Sequence, residues 1–351
     1  MNKVFFNNNI DLIRLMAAFQ VLISHSVNYL SINTTNSTLS LLMYVLHLFP
    51  GVPIFFFISG YLISKSYENS SSIKNYATKR LFRIYPALII AVILGVFSIY
   101  VTGYISSHSI SITDISIWIF TKLTIFQFYN PECNREYGIG IVNPALWTIS
   151  IELQFYIITP IIYKLFLQKN NEKILFVFIT FSMLINYISS FYLGEYHDFL
   201  PFKLLGVSFI PWIYMFLFGV LFQRNFVFIY DKIDKNFFGK KRFLLIIFII
   251  YIGIDFIFTP KIGNYINPLI FLLLILIIFT FSYSFIGLSG FIKYDLSYGI
   301  YVYHMIIVNL FIYYGLVSNI LYELCIIVCV LVMAYISWKY IEKPSITFNK
   351  E

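Results

Sequence analysis

Long apolar runs recur along nearly the whole chain, separated by short polar stretches. They cover 10–31, 43–64, 84–103, 144–166, 174–193, 204–222, 243–259, 267–287, 297–317 and 320–340. Each is close to the roughly 20 residues a helix needs to cross hydrocarbon. A backbone facing lipid must satisfy its own hydrogen bonds, so each run is expected to be an α-helix. The segment 112–130, with its ISIWIFTKLTIFQFY core, is also apolar, but it carries Lys122 and is bounded by polar residues. By pattern alone it is either a further span or a helix lying at the surface.

Composition agrees with a membrane chain. Of 351 residues 60% are hydrophobic and only 11% charged, where a soluble domain carries about 25% charged residues. With so little outside the apolar runs, residues 1–351 read as a single transmembrane domain. Its polar connections ENSSSIKN (68–75) and DKIDKNFFGKK (231–241) are its sizeable cytosolic loops. The first run holds Asp11 and Arg14 and lacks a small-residue cleavage site, so it reads as a retained span. Cys133, Cys325 and Cys329 form neither a disulfide framework nor a metal pattern, and no bound metal is expected.

Charge settles the orientation of this expected bundle. With the N-terminus cytosolic and 112–130 not crossing, twenty of the 24 Lys and Arg fall at the inner face. Only Lys122, Arg135, Lys203 and Lys261 remain outside. If 112–130 crossed, every later loop would swap sides and the asymmetry would largely vanish. The positive-inside rule therefore predicts an all-α integral membrane protein of about ten spans with both termini cytoplasmic. The net charge of +8 has the same origin and implies no nucleic-acid partner.

An ionisable group inside a span is costly unless paired or in a wet cavity, so each is a functional candidate. Arg14 and His25 in the first span are eleven residues apart. That places them roughly 20° apart around a helix and roughly 16 Å apart along it. Arg14 falls near the inner edge, where it can also snorkel. His25 falls in the outer half, where it can move a proton or bond a neighbouring helix. Glu152 in the fourth span falls at a similar depth, so a carboxylate that orients the His25 ring is expected there. Ser150 and Glu152 are about 200° apart on a regular helix, and Glu152 ranks above Ser150 for chemistry. Ser297, Tyr301 and His304 make one polar stripe on the ninth span, with His304 roughly 10 Å in from the cytosol. Such a stripe serves equally as interhelical glue. Ser59 and Gly60 permit close backbone approach. Arg80 and Arg83, with Lys79, cluster at the inner interface. They suit phosphate, and they also fit ordinary inner-face charge bias.

In order along the chain these elements resemble the acyltransferase-3 family of membrane proteins. FFFISGYLI (55–63) is similar to its FF-x-x-SG-[FY]-L element, and RLFRIYPAL (80–88) to its R-x-x-R-I-x-P element. LWTISIELQFY (146–156), with Trp147, Ser150 and Glu152, is similar to W-[ST]-[LI]-S-x-E-x-x-FY. The Arg14-to-His25 spacing, LSYGIYVYH (296–304) and WKYIEKP (338–344) complete the set, which spans residues 10 to 344. Gly299-Ile300 is a small departure, and the SGNH hydrolase-like domain of some relatives is expected to be absent.

The resemblance implies transfer of an acyl group, usually acetyl, from cytosolic acyl-CoA to a hydroxyl of a cell-surface glycan or its lipid-linked precursor. It implies His25 as general base oriented by Glu152. It implies an acyl-donor site from Arg14, Ser59, Gly60, Arg80, Arg83, Tyr301 and His304, with Trp147 and Ser150 on the acceptor side or structural. Acyl-CoA is then a co-substrate, and no permanently bound cofactor is expected. Direct transfer and an acyl-enzyme are both compatible with these residues. The expected location is the bacterial inner membrane, among membrane lipids, and no oligomeric state is implied. A transporter or flippase of glycan precursors is the alternative reading. Against it stand the gradation from basic inner rim to His/Glu outer half and the lack of an inverted repeat.

Overall fold

The computed structural model describes residues 8–167, 172–195, 200–236, 239–285 and 287–348. Among them every regular element is helical. The chain runs through α1 (Ile10–Tyr29), α2 (Ser37–Leu48), α3 (Gly51–Glu68), α4 (Ile73–Val101), the single turn α5 (Tyr104–Ser107), α6 (Ile112–Lys122) and α7 (Leu146–Ile162). It continues through α8 (Glu172–Glu195), α9 (Leu200–Gly206), α10 (Ile213–Arg224), α11 (Phe226–Asn236) and α12 (Lys240–Phe258). The last helices are α13 (Pro268–Ser284), α14 (Ser297–Tyr313), α15 (Ile320–Ser337) and α16 (Lys343–Phe348). Lys3, Lys169 and Lys350, counted above with the inner-face charges, lie outside the described residues.

Six helical stretches are long and apolar enough to cross a membrane, and a seventh if α10 and α11, bent by 76°, are one span. Large apolar side chains such as Ile93, Phe97, Phe176, Phe181, Val328 and Val332 are exposed along them. In water they would be aggregation-prone patches; in lipid they are the solvated surface. The chain is a multi-pass membrane protein. The expected ten spans also need α12, α13 and α14, of which α13 and α14 are apolar but have 17 residues each.

Two segments depart from simple periodicity. In 112–130 only Ile112–Lys122 is helical. Eleven residues reach about 16 Å, roughly half the hydrocarbon thickness. The helix starts at a capping box between Ser111 and Asp114, and Lys122 turns its ammonium onto the carbonyls of Gln127 (2.5 Å) and Tyr129 (2.7 Å). In 204–222 the apolar run is not one helix: turns fill 207–212 between α9 and α10. Pro211 lies in this break, lacks a donor and disfavours helical geometry at the residue before it.

The chain groups into two compact units, each discontinuous in sequence. The first comprises 1–17, 47–73 and 155–293. Its centre is the pairing of α3 with α10. A Cβ on Gly60 would fall 1.9 Å from the Phe216 carbonyl oxygen, and one on Gly219 would fall 2.1 Å from that of Phe57. Only glycine lets the two backbones meet in this way. The second unit comprises 18–46, 74–154 and 294–351. Its centre is α14, buried from Ser297 to Asn309. Gly299 lies against Ala334 of α15, where a Cβ would sit 2.9 Å from the Ala334 Cα. Asn309 grips the loop before α7, accepting from Ile139 N (2.8 Å) and donating to the carbonyls of Ile141 (2.9 Å) and Val142 (3.0 Å).

Candidate active site

Within the second unit, two imidazoles from helices far apart in sequence meet. His25 Nδ1 of α1 lies 3.0 Å from His304 Nε2 of α14, and the rings stack at 5.2 Å. The neighbours of His304 fix its tautomer. Its Nδ1 faces the carbonyl oxygens of Tyr301 (2.8 Å) and Ile300 (3.2 Å), which only accept. Nδ1 therefore carries the proton, and Nε2 of the neutral ring is an acceptor. His25 then donates from Nδ1, which leaves its own Nε2 with a lone pair. His304 is fully buried and His25 half-buried, so the available base is on the accessible ring.

This placement changes one expectation. The sequence put His304 at the inner rim among the donor-binding residues, and the structure puts it against His25. His304 is the eighth of the 17 residues of α14, so its depth reckoned from one helix end says little. The group on His25 Nδ1 is thus an imidazole and not the Glu152 carboxylate.

Glu152 belongs to the same neighbourhood by another route. Thr148 Oγ1 and Tyr301 OH share a hydrogen bond of 2.6 Å, joining α7 to α14 one turn before His304. Glu152 lies one turn beyond Thr148 on the same face of α7, within electrostatic reach of the Tyr301 hydroxyl. Ser150 points elsewhere, as the helical spacing predicts. Its hydroxyl donates to the Ile125 carbonyl and accepts from Gln154 at 3.4 Å, tying α7 to the segment after α6. Trp147 is half-buried in the first turn of α7.

The residues assigned to the donor come from four helices, α1, α3, α4 and α14. Arg14 is on α1 and pairs with Asp11 at 3.4 Å. Ser59 is half-buried on α3. Gly60 is occupied by α10, which leaves no room for a ligand on that face and makes its role packing. Arg80 and Arg83 lie one turn apart on α4, both half-buried. Arg83 Nη2 donates to Asp295 Oδ2 at 2.5 Å, and its guanidinium lies 6.0 Å from the Trp338 ring centre.

Two carboxylates escaped the sequence reading. Asp295 precedes α14 and joins Arg83 to Ser297, whose hydroxyl donates to it at 2.6 Å. Glu323 stands in the first turn of α15, is 3% exposed, and accepts from Ser26 Oγ at 2.7 Å, beside His25. The signal for Glu323 was present: it is an ionisable residue inside the apolar run 320–340. Among the described residues no three His, Cys, Asp or Glu converge as metal ligands.

Comparison with known proteins supplies the context of this site. The sequence profile of an acyltransferase domain, that of the acyltransferase-3 family, matches residues 7–339. Nodulation protein 10 of Rhizobium leguminosarum bv. viciae is 29% identical over 96% of this chain and 93% of its own. An O-acetyl transferase of Shigella phage Sf6 is 32% identical over 51% of this chain and 53% of its own. The peptidoglycan O-acetyltransferase OatA of Listeria monocytogenes is 29% identical over 39% of this chain and 23% of its own. No solved structure matches the chain significantly.

Proposed function

The chain belongs to the acyltransferase-3 family, and from that premise we propose that it is an O-acyltransferase. It moves an acyl group, most simply acetyl, from cytosolic acyl-CoA to a hydroxyl of a cell-surface glycan or of its lipid-linked precursor. Two relatives named as O-acetyl transferases support the reaction class. The reading keeps ten spans, with both ends cytosolic, in a bacterial inner membrane. The inner-face excess of Lys and Arg supports this arrangement, and 17 residues is at the lower limit for a span. On this topology the helix ends near residues 190 and 260 face outward.

The observation that carries the proposal is the tautomer chain ending at His25 Nε2. An acceptor hydroxyl gives its proton to Nε2 as its oxygen forms a bond to the acyl carbonyl carbon. The thioester C–S bond breaks and CoA leaves as thiolate. His304 Nε2 holds the His25 Nδ1–H and strengthens that bond as the imidazolium forms. Glu152, within electrostatic reach of the Tyr301 hydroxyl one turn before His304, supports the positive charge. Acyl-enzyme and direct routes both need this base.

The test is the acyl content of the host glycan by mass spectrometry. Deleting the gene should remove an acyl mass and leave polymer length unchanged; a lost or truncated polymer would instead indicate a transporter or flippase. His25→Gln keeps a hydrogen-bonding side chain without a useful base. It should lower acylation by roughly 10²–10⁴-fold at unchanged membrane abundance. Near-normal acylation would make His25 structural and send the search to His304.

A further inference from the structure

A second site lies wholly within the first unit. A cavity of about 220 Å³ opens between the end of α8 and the loop that leads into α13. Its walls include Asn186, Tyr187 and Phe191 from α8, and Lys261, Tyr265 and Asn267 from the loop. Asn186 is 1% exposed, and among the described residues neither its Nδ2 nor its Oδ1 has a hydrogen-bond partner. A buried amide with both ends unmet is costly, and this one borders open volume. Its neighbour one turn back differs: Ser182 donates to the Ile210 carbonyl at 2.7 Å and accepts from Tyr214 N at 3.2 Å. Polarity in this stretch of α8 is thus satisfied by protein at Ser182 and left open at Asn186.

The unmet groups define what fits. A ligand must offer Asn186 both a donor and an acceptor. An acyl chain offers neither, and a phosphate offers only acceptors. Neighbouring hydroxyls on a sugar ring offer both. Tyr187 and Phe191 are among the exposed aromatic side chains, and their rings pack edge to face at 4.9 Å. Aromatic rings of this kind take the C–H face of a pyranose as apolar area while leaving its hydroxyls free. Lys261 is held at the rim by its bond to the Ser190 carbonyl (2.9 Å) and adds a cation beside the opening. The volume is below the roughly 300–1,000 Å³ of larger ligand pockets, which suits a single ring.

We propose that this cavity binds one sugar residue bearing neighbouring hydroxyls, as a subsite for the glycan acceptor. Its purpose rests on the transferase reading above; its chemistry does not. The outward direction of these helix ends in the proposed topology places the subsite where a surface glycan is found.

The experiment uses the full-length protein in a detergent without a sugar headgroup. It is titrated with the methyl glycosides of glucose, galactose, mannose, rhamnose and N-acetylglucosamine. Tryptophan fluorescence reads binding, because Trp212 packs against Tyr265 at 4.6 Å. At least one glycoside should give a saturable change. Asn186→Leu should weaken that binding about tenfold or more, the worth of two ordinary hydrogen bonds, without lowering Tm. Host oligosaccharide and host glycolipid, each competed against the bound glycoside, then identify polymer or precursor as the source of the ring. No saturable response to any of the five would overturn the site, since water alone then fills the cavity. Equal binding by Asn186→Leu would overturn it too, as would a fall in its Tm, which would reveal a structural partner. The His25→Gln glycan assay fails separately. Glycoside binding with undiminished acylation in His25→Gln keeps this site and removes the base; lost acylation without glycoside binding does the reverse.

Discussion

Two polar clusters, one in each unit, differ in how they end. In the first unit Ser64 Oγ lies 2.5 Å from both Tyr163 OH and Gln223 Oε1. Gln223 donates to Glu68 at 3.0 Å, Tyr163 reaches Glu68 at 3.1 Å, and Arg224 closes on Glu68 at 3.5 Å. The network returns on itself through a carboxylate and its cation. In the second unit the chain runs from the Tyr301 carbonyl through His304 to His25 and stops at a lone pair. Both clusters are polar groups in an apolar bundle, and composition does not separate them. The closed network joins helices, whereas the chain with a free end has capacity for a proton.

The contrast is breakable by substitution, and the largest effect is expected at the free-ended chain. His304→Leu removes the acceptor for His25 Nδ1–H and should cost roughly 10²–10⁴-fold in acylation, the usual worth of a positioned base. His304→Gln, whose amide oxygen can accept the same hydrogen, should recover part of that loss. If the two variants are equally inactive, His304 takes part in proton transfer itself. In the closed network the loss should be one of stability. Gln223→Leu removes one hydrogen bond from Ser64 and one from Glu68, each worth about 0.5–1.5 kcal/mol, and so should cost about 1–3 kcal/mol. The check is a lower Tm in detergent with near-normal acylation per folded molecule; a rate loss at unchanged Tm would move that network into the reaction. Arg83→Ala should give the smallest change. It breaks a pair with Asp295 that is worth roughly 1 kcal/mol or less if it behaves as a partly solvated ion pair. Should acyl-CoA affinity instead fall about tenfold with Tm unchanged, the guanidinium serves phosphate as well as Asp295.

Helix positions were legible because lipid imposes both their length and their composition. The ordered motifs led to the family because they lie in local sequence, as FFFISGYLI and RLFRIYPAL do. Relations between helices were less legible. Depth along one helix is about 1.5 Å per residue, but periodicity carries no register between helices. The pairing of His25 with His304 is such a relation, and neither helix shows it by itself. The break at Pro211 was hidden inside an apolar run, since hydropathy registers the side chains and not the missing donor. Asn186 drew no attention because one amide in an apolar helix resembles interhelical glue until its two ends are seen to be unmet.

The contact of α3 with α10 has a mechanical consequence. At Gly60 and Gly219 main chain rests directly on main chain, with no side chain between to change rotamer. Sliding motions between packed helices are absorbed by small side-chain adjustments, and here there are none to make. The two helices therefore travel as one rigid strut. Any opening that admits or releases a substrate during turnover must be hinged elsewhere, at joints where the helical ladder is interrupted, such as the turns at 207–212.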